Sequence, residues 1–147
     1  MSLQVRPLRE TDHAEWRRLW TGYLAFYDTT VPEEVYTSTW ARLMGGDPVD
    51  GRGLIAEEDG RPVGLAHLYR QRHGWKTRDV VYLQDLFADP DARGRGVGRA
   101  LIEAVYEAAD AMGAPEVYWT TAHDNAPARR LYDRVGALTP FVKYQRA

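Results

Sequence analysis

Between Asp89 and Arg99 the chain reads Asp-Pro-Asp-Ala-Arg-Gly-Arg-Gly-Val-Gly-Arg, with glycines at 94, 96 and 98 and arginines at 93, 95 and 99. A backbone without Cβ atoms turns tightly and comes close to a ligand. The residues that follow predict a helix from Val97 to Met112, closed by Gly113. The first N–H groups of a helix have no partner within it, and the macrodipole adds partial positive charge there. Loop and helix together form an anion site of the kind that holds a pyrophosphate. A dinucleotide fingerprint would need a sixth-position glycine where Arg99 stands, and would follow the first strand of the fold. A Walker-type loop would need Gly-Lys-Ser/Thr, which is absent. The plain alternative is a glycine-rich turn with solvated arginines.

The rest of the chain alternates between two periods. Leu3 to Pro7 reads as a short strand. Thr11 or Asp12 can cap a helix on which Trp16, Leu19, Trp20, Tyr23, Leu24 and Tyr27 recur at three- and four-residue spacing. Pro32 suits the first turn of a second helix carrying Val35, Trp40 and Leu43, which stops at Gly45-Gly46. Leu54 to Glu57 and Val63 to Tyr69 are strands joined by a hairpin at Glu58-Asp59-Gly60-Arg61. Val80 to Phe87 and Val117 to Thr121 are further strands, Ala126 to Val135 is a helix, and Phe141 to Gln145 is a last strand. The order β-α-α-β-β-β-α-β-α-β predicts one α/β domain over 1–147. Its sheet is mixed, strongly twisted and splayed, with helices on both faces.

Composition removes several classes of function. There is no cysteine, which excludes disulfides, thiolate metal sites and a cysteine nucleophile. His13, His67 and His73 show no ligand spacing, so no metal is expected. A formal charge of −2 argues against a nucleic-acid partner. Met1 to Ala14 has no signal-peptide core, and no apolar run spans a bilayer, so the expected compartment is the cytoplasm, with no membrane association.

Two motifs carry a resemblance. Tyr82-Leu83-Gln84-Asp85-Leu86-Phe87-Ala88, followed by Arg93-Gly94-Arg95-Gly96-Val97-Gly98, resembles the core motif of the GNAT superfamily of acyl-CoA-dependent N-acyltransferases, Arg/Gln-x-x-Gly-x-Gly/Ala at a helix start. Asn125-Ala126-Pro127-Ala128-Arg129-Arg130-Leu131-Tyr132 with Gly136-Ala137 resembles the second motif. The element order agrees from Leu3 to Gln145. Within the superfamily the chain is most similar to the spermidine/spermine acetyltransferase-like branch and to histone-type small acetyltransferases.

The resemblance implies transfer of an acetyl group from acetyl-CoA to a primary amine, by direct attack through a tetrahedral intermediate. The CoA arm would lie along Leu86, Phe87 and Ala88, and its pyrophosphate on Arg93, Gly94, Arg95, Gly96, Val97, Gly98 and Arg99. Asn125 would contact the arm, cap the following helix, or do both. A primary amine with a pKa of about 10.4 costs about 4 kcal/mol to deprotonate at pH 7, so a base or a water chain is needed. A backbone N–H near Leu86 would serve the oxyanion, and Tyr132 is implied as general acid. The polyamine-type relatives carry Glu where this chain has Gln84, which cannot take a proton. Asp85, His123, or arrival of an already neutral amine remain open. Alternation places Gln84 and Asp85 on opposite faces unless a bulge intervenes. Tyr27, Asp28 and Gln84 are implied to hold a cationic acceptor such as a polyamine, with Glu33 and Glu34 nearby. Peptide, amino-acid or aminoglycoside acceptors, and an acyl-CoA-binding regulator without turnover, are the alternatives. The resemblance also implies a homodimer formed through the C-terminal strand.

Overall fold

A computed structural model describes residues 2–147, so the first residue of the expected domain, Met1, lies outside the described residues. Its strands are β1 (Leu3–Pro7), β2 (Arg52–Glu58), β3 (Arg61–Gln71), β4 (Val80–Ala88) and β5 (Val117–Tyr118). Its helices are α1 (His13–Phe26), α2 (Glu33–Met44), α3 (Val97–Ala111) and α4 (Ala126–Val135). The five strands form one sheet in sequence order, antiparallel from β1 to β4 and parallel between β4 and β5. The β2–β3 turn is made by Asp59 (φ 52°) and Gly60 (φ 84°). Paired positive φ values match the right-handed twist of the flanking strands, which is why this dipeptide makes the tight hairpin.

Side-chain alternation sorts the apolar residues into two cores. Ile55, Leu65 and Phe87 face Trp16, Leu19, Trp20 and Leu24 of α1 and Tyr36 and Leu43 of α2. Ala56, Val63, Ala66, Leu68, Val81 and Leu83 face Val97, Leu101, Ile102 and Val105 of α3. The mixed α/β sheet with helices on both faces is therefore formed as expected.

Three local expectations are corrected. Asp12 stands at the N-cap of α1 but makes no capping bond. Its carboxylate accepts instead from the Arg6 guanidinium at 2.7 and 2.9 Å and from the Arg9 N–H at 2.7 Å. Strand β5 stops at Tyr118 rather than Thr121, because its only ladder partners are Val81 and Tyr82. The expected last strand, Phe141 to Gln145, is exposed chain with no regular secondary structure and no strand pairing. A strand needs a neighbour for its N–H and C=O groups, and among the described residues this segment has none.

Candidate active site

The site begins where the sheet opens. Beyond Tyr82 strand β4 keeps β3 on one side and loses β5 on the other. Every second residue of an antiparallel strand turns its N–H and C=O away from its partner. The stretch through Leu86, Phe87 and Ala88 thus offers free backbone groups along an open slot. Loop 93–99 follows at the end of this strand. Gly94 and Gly96 both have φ 82°, a left-handed conformation. Nothing lies within 4 Å of where their Cβ atoms would be, so it is the backbone angle that requires glycine there. Val97 is buried and anchors the start of α3. A Cβ on Gly98 would stand 3.1 Å from Leu131 Cδ2, so this glycine lets α4 approach α3.

The arginines of the loop are engaged. Arg95 pairs with Glu58, Arg99 with Glu103 at 2.9 Å, and the Arg93 guanidinium carbon lies 5.6 Å from the Phe26 ring centroid. Exposed ion pairs are worth little, so Arg99, whose pair with Glu103 is open to solvent on both sides, can exchange its acid for a bound anion, whereas the Glu58 carboxylate that holds Arg95 is largely buried. Asn125 takes the N-cap position of α4 without capping it, and its amide N–H donates instead to Thr121 Oγ1 at 3.4 Å. The capping expectation fails here, and the amide oxygen is left for another partner.

The register of β3 and β4 slips between His67 and Leu68. His67 faces Asp85 and Leu68 faces Leu83, so Gln84 is the extra residue of β4. A bulge of this kind redirects side chains at functional sites. Here it places Gln84 and Asp85 on one cleft wall. That cleft, of about 310 Å³, is lined by Tyr23, Leu24, Tyr27, Thr29, Tyr82, Gln84, Asp85 and the segment Thr120, Thr121 and Ala122. It shares Tyr82 and Gln84 with a second cleft of about 500 Å³, lined by Val49, Tyr69, Arg70, Gln71, Arg72 and Asp79.

Asp85 is buried and its Oδ2 lies 2.8 Å from His67 Nδ1. The indole N–H of Trp16 donates to His67 Nε2 at 2.9 Å. The Tyr23 hydroxyl donates to the Gln84 carbonyl at 3.4 Å. Burial, and then the charge of Asp85, pushes the Tyr23 phenol well above its ordinary range. Tyr132 packs against Trp119 with ring centroids 5.5 Å apart. Burial first, and nearby Tyr27 second, pushes its phenol up to about 12. In the larger cleft Asp79 accepts from Arg70 at 2.6 Å and from Arg72 at 3.1 Å, which lowers its carboxyl below the usual range.

Of the expected acceptor residues, Tyr27 and Gln84 line the clefts. Asp28 does not: it is exposed, in a left-handed turn (φ 53°) after α1. Glu33 is tied to Arg17 at 2.6 Å and Glu34 is exposed. His123 is exposed and is not among the residues that line either cleft, although its neighbour Ala122 is. His67, given no role from sequence, is the histidine the site contains. Its only signal was a polar residue inside the apolar run Leu65-Ala66-His67-Leu68, which needs a buried partner. Arg70, Arg72 and Asp79 converge only because a hairpin folds β3 back on β4.

Residues 10–137 match the acetyltransferase (GNAT) family. A D-amino-acid N-acetyltransferase, HPA3 of Saccharomyces cerevisiae, is 41% identical over 97% of this chain and 89% of its own length. An uncharacterized N-acetyltransferase of Bacillus subtilis, YhfO, is 32% identical over 97% of this chain and 95% of its own. The solved structure of AAC(6')-Iy in complex with a CoA-containing bisubstrate analog superposes with a TM-score of 0.87 at 22% identity, covering 100% of this chain and 99% of that one. The chain belongs to the GNAT family of acetyltransferases, which makes it an acyl-CoA-dependent N-acetyltransferase.

Proposed function

We propose that the protein acetylates the primary amine of a small acceptor that also carries a carboxylate, as an amino acid does. The observation that carries this reading is the meeting, across two adjoining clefts, of a buried carboxylate, Asp85, with the guanidinium pair Arg70 and Arg72. Asp79 neutralises one of the two arginine charges and leaves one for an anionic group. A polyamine would meet that positive charge, and the acids expected to hold it lie outside the clefts. The similarity to HPA3 supports the same class of acceptor.

Acetyl-CoA supplies an activated thioester carbonyl, and the open edge of β4 and the N–H groups from Gly94 to Arg99 fit its extended arm and pyrophosphate. Asn125, with its amide oxygen uncommitted, faces the arm from the α4 side. Asp85 accepts the proton that the amine nitrogen sheds as its bond to the carbonyl carbon forms. A backbone N–H near Leu86 donates to the carbonyl oxygen as charge develops on it. The Tyr132 hydroxyl donates to the sulfur as the C–S bond breaks. With its phenol at about 12 and a thiol near 8.5, complete proton transfer is uphill by roughly 5 kcal/mol. Tyr132 therefore acts chiefly as a hydrogen-bond donor, and solvent completes protonation of the thiolate. Gln84 contributes an amide to the acceptor wall.

The homodimer belongs to this proposal. Leu138, Phe141, Val142 and Tyr144 are exposed on a segment with no partner in the protomer, and the outer edge of β5 is unpaired. A second copy that docks there covers both, and a dimer mass in light scattering tests it. The compartment proposed is the cytoplasm. Among the described residues no helix is long and apolar enough to cross a membrane.

An acceptor panel of D- and L-amino acids, polyamines, aminoglycosides and a lysine peptide, with thiol release as the readout, tests the reading. Amino acids should turn over fastest. Preference for spermidine would overturn the carboxylate argument. Absence of turnover with every amine, with acetyl-CoA still bound, would favour the binding-only alternative.

A further inference from the structure

His67 is fully buried between β3 and the aromatic residues of α1, and both of its ring nitrogens are engaged. The indole N–H of Trp16 can only donate. The Nε2 atom that faces it at 2.9 Å must therefore be bare. A neutral imidazole with a bare Nε2 carries its proton on Nδ1, and Nδ1 stands 2.8 Å from Asp85 Oδ2. An imidazolium would set an Nε2–H against the indole N–H, two donors with no acceptor between them. The geometry thus selects one tautomer, and the direction of both bonds follows: Trp16 donates to His67, and His67 donates to Asp85.

We propose that His67, locked in its Nδ1-protonated form by Trp16, is the positioning residue that turns Asp85 toward the acceptor. The proposal rests on the reading of Asp85 as base. Oδ2 is held by the imidazole, which leaves the carboxylate's other oxygen for the cleft that Asp85 lines, where the Tyr23 hydroxyl stands beside it. The chain of bonds ends at Trp16, a group that accepts nothing, so His67 cannot carry a proton onward. The proton taken by Asp85 leaves through the cleft by which it arrived. A third group orienting a base is a recurring arrangement in acyl-transfer sites. Here the orienting group is itself oriented, by an indole from a different element of the fold.

The tautomer is read directly from two-bond 1H–15N correlations on the 15N-labelled full chain, with the other three histidines removed by His13→Gln, His73→Gln and His123→Gln for assignment. The expected pattern is a protonated Nδ1 and a bare Nε2. A protonated Nε2 overturns the proposal, and this measurement needs no substitution in the core. Kinetics use acetyl-CoA and the fastest amino acid of the acceptor panel. Loss of orientation at a reacting group costs about 10²-fold, so His67→Leu should lower kcat about 10²-fold and leave the KM for acetyl-CoA within about twofold. His67→Asn places an amide N–H where Nδ1–H stood. It should restore most of kcat, although it leaves the Trp16 N–H unpaired and lowers Tm. A purely structural role would make kcat follow Tm instead, and that result overturns the proposal. Adding Asp85→Asn to His67→Leu should cost no more than Asp85→Asn alone, whereas multiplying losses overturn it. Wild-type kcat in His67→Leu with an inactive Asp85→Asn removes this inference and leaves the base reading in place. An active Asp85→Asn removes both.

Discussion

Gln84 and Asp85 are adjacent in sequence and line the same cleft, because Gln84 is the unpaired residue of a bulge opposite the His67–Leu68 step of β3. Without the bulge one of them would point into the α3-side core with Leu83. The bulge therefore brings an amide and a carboxylate to one wall, and only the carboxylate can take a proton. Asp85→Asn should lower kcat by about 10²- to 10⁴-fold, the range for loss of a general base. Gln84→Ala should cost far less, and Gln84→Glu should remain active. Steady-state kinetics on the three variants, with acetyl-CoA affinity measured alongside, checks the order. Equal losses in Asp85→Asn and Gln84→Ala would remove the base assignment.

Tyr132→Phe keeps the ring against Trp119 and removes the hydroxyl. A donor whose phenol is pushed up to about 12 transfers its proton poorly, so the loss in kcat should lie near the low end of the acid–base range, about 10²-fold. The pH dependence has a definite sign. A phenol at its ordinary value would lose its proton near pH 10, and wild type would fall toward the variant above that. With the folded value raised, the hydroxyl keeps its proton to about pH 12. The ratio of wild-type to variant kcat should therefore stay constant from pH 7.5 to 10.5. A ratio that collapses toward one near pH 10 would show the hydroxyl titrating normally.

Gly96 combines a positive φ with open space around its Cα. Gly96→Asp adds a little left-handed strain, which Asp tolerates better than most residues, and a negative charge where the pyrophosphate is to rest. Acetyl-CoA binding by calorimetry should be lost while the circular dichroism of the fold persists. Unchanged affinity would move the cofactor away from this loop.

Asp12 is a structural acid at the start of α1. It accepts two bonds from Arg6 and one from the Arg9 N–H. The bonds from Arg6 hold its carboxyl below the ordinary 3.8, against the opposing effect of burial. A lowered folded value contributes stability that is present above pH 3.8 and is lost as pH falls through the lower folded value. Asp12→Asn leaves Arg6 with Glu57 as its remaining acid, so no charge is orphaned, and should cost about 1.5–3 kcal/mol at pH 7, the worth of hydrogen bonds to a charged group. The difference from wild type should shrink below pH 4. Urea unfolding at pH 7 and pH 3 measures both; equal differences at the two values would contradict the assignment.

The loop at 93–99, the Asp59-Gly60 hairpin and the amphipathic helices were legible from sequence because each is decided by local chemistry. Positive φ selects glycine, tight turns select Asp-Gly, and an apolar stripe at helical spacing must find a core. The two motifs were enough for the family because they are such local features in a set order. What the tertiary structure decided depends on register and on partners far along the chain. Asp85 could be separated from Gln84 and His123 only once the bulge and the His67 pairing were known, since a one-residue slip changes which side chains share a face. The bond from Trp16 to His67 spans 51 residues and unites a helix with a strand. Arg70, Arg72 and Asp79 come to line one cleft only across a hairpin. Phe141 to Gln145 has the composition of a strand but lacks a neighbour in its own protomer, and a strand is defined by that neighbour, whatever its residues.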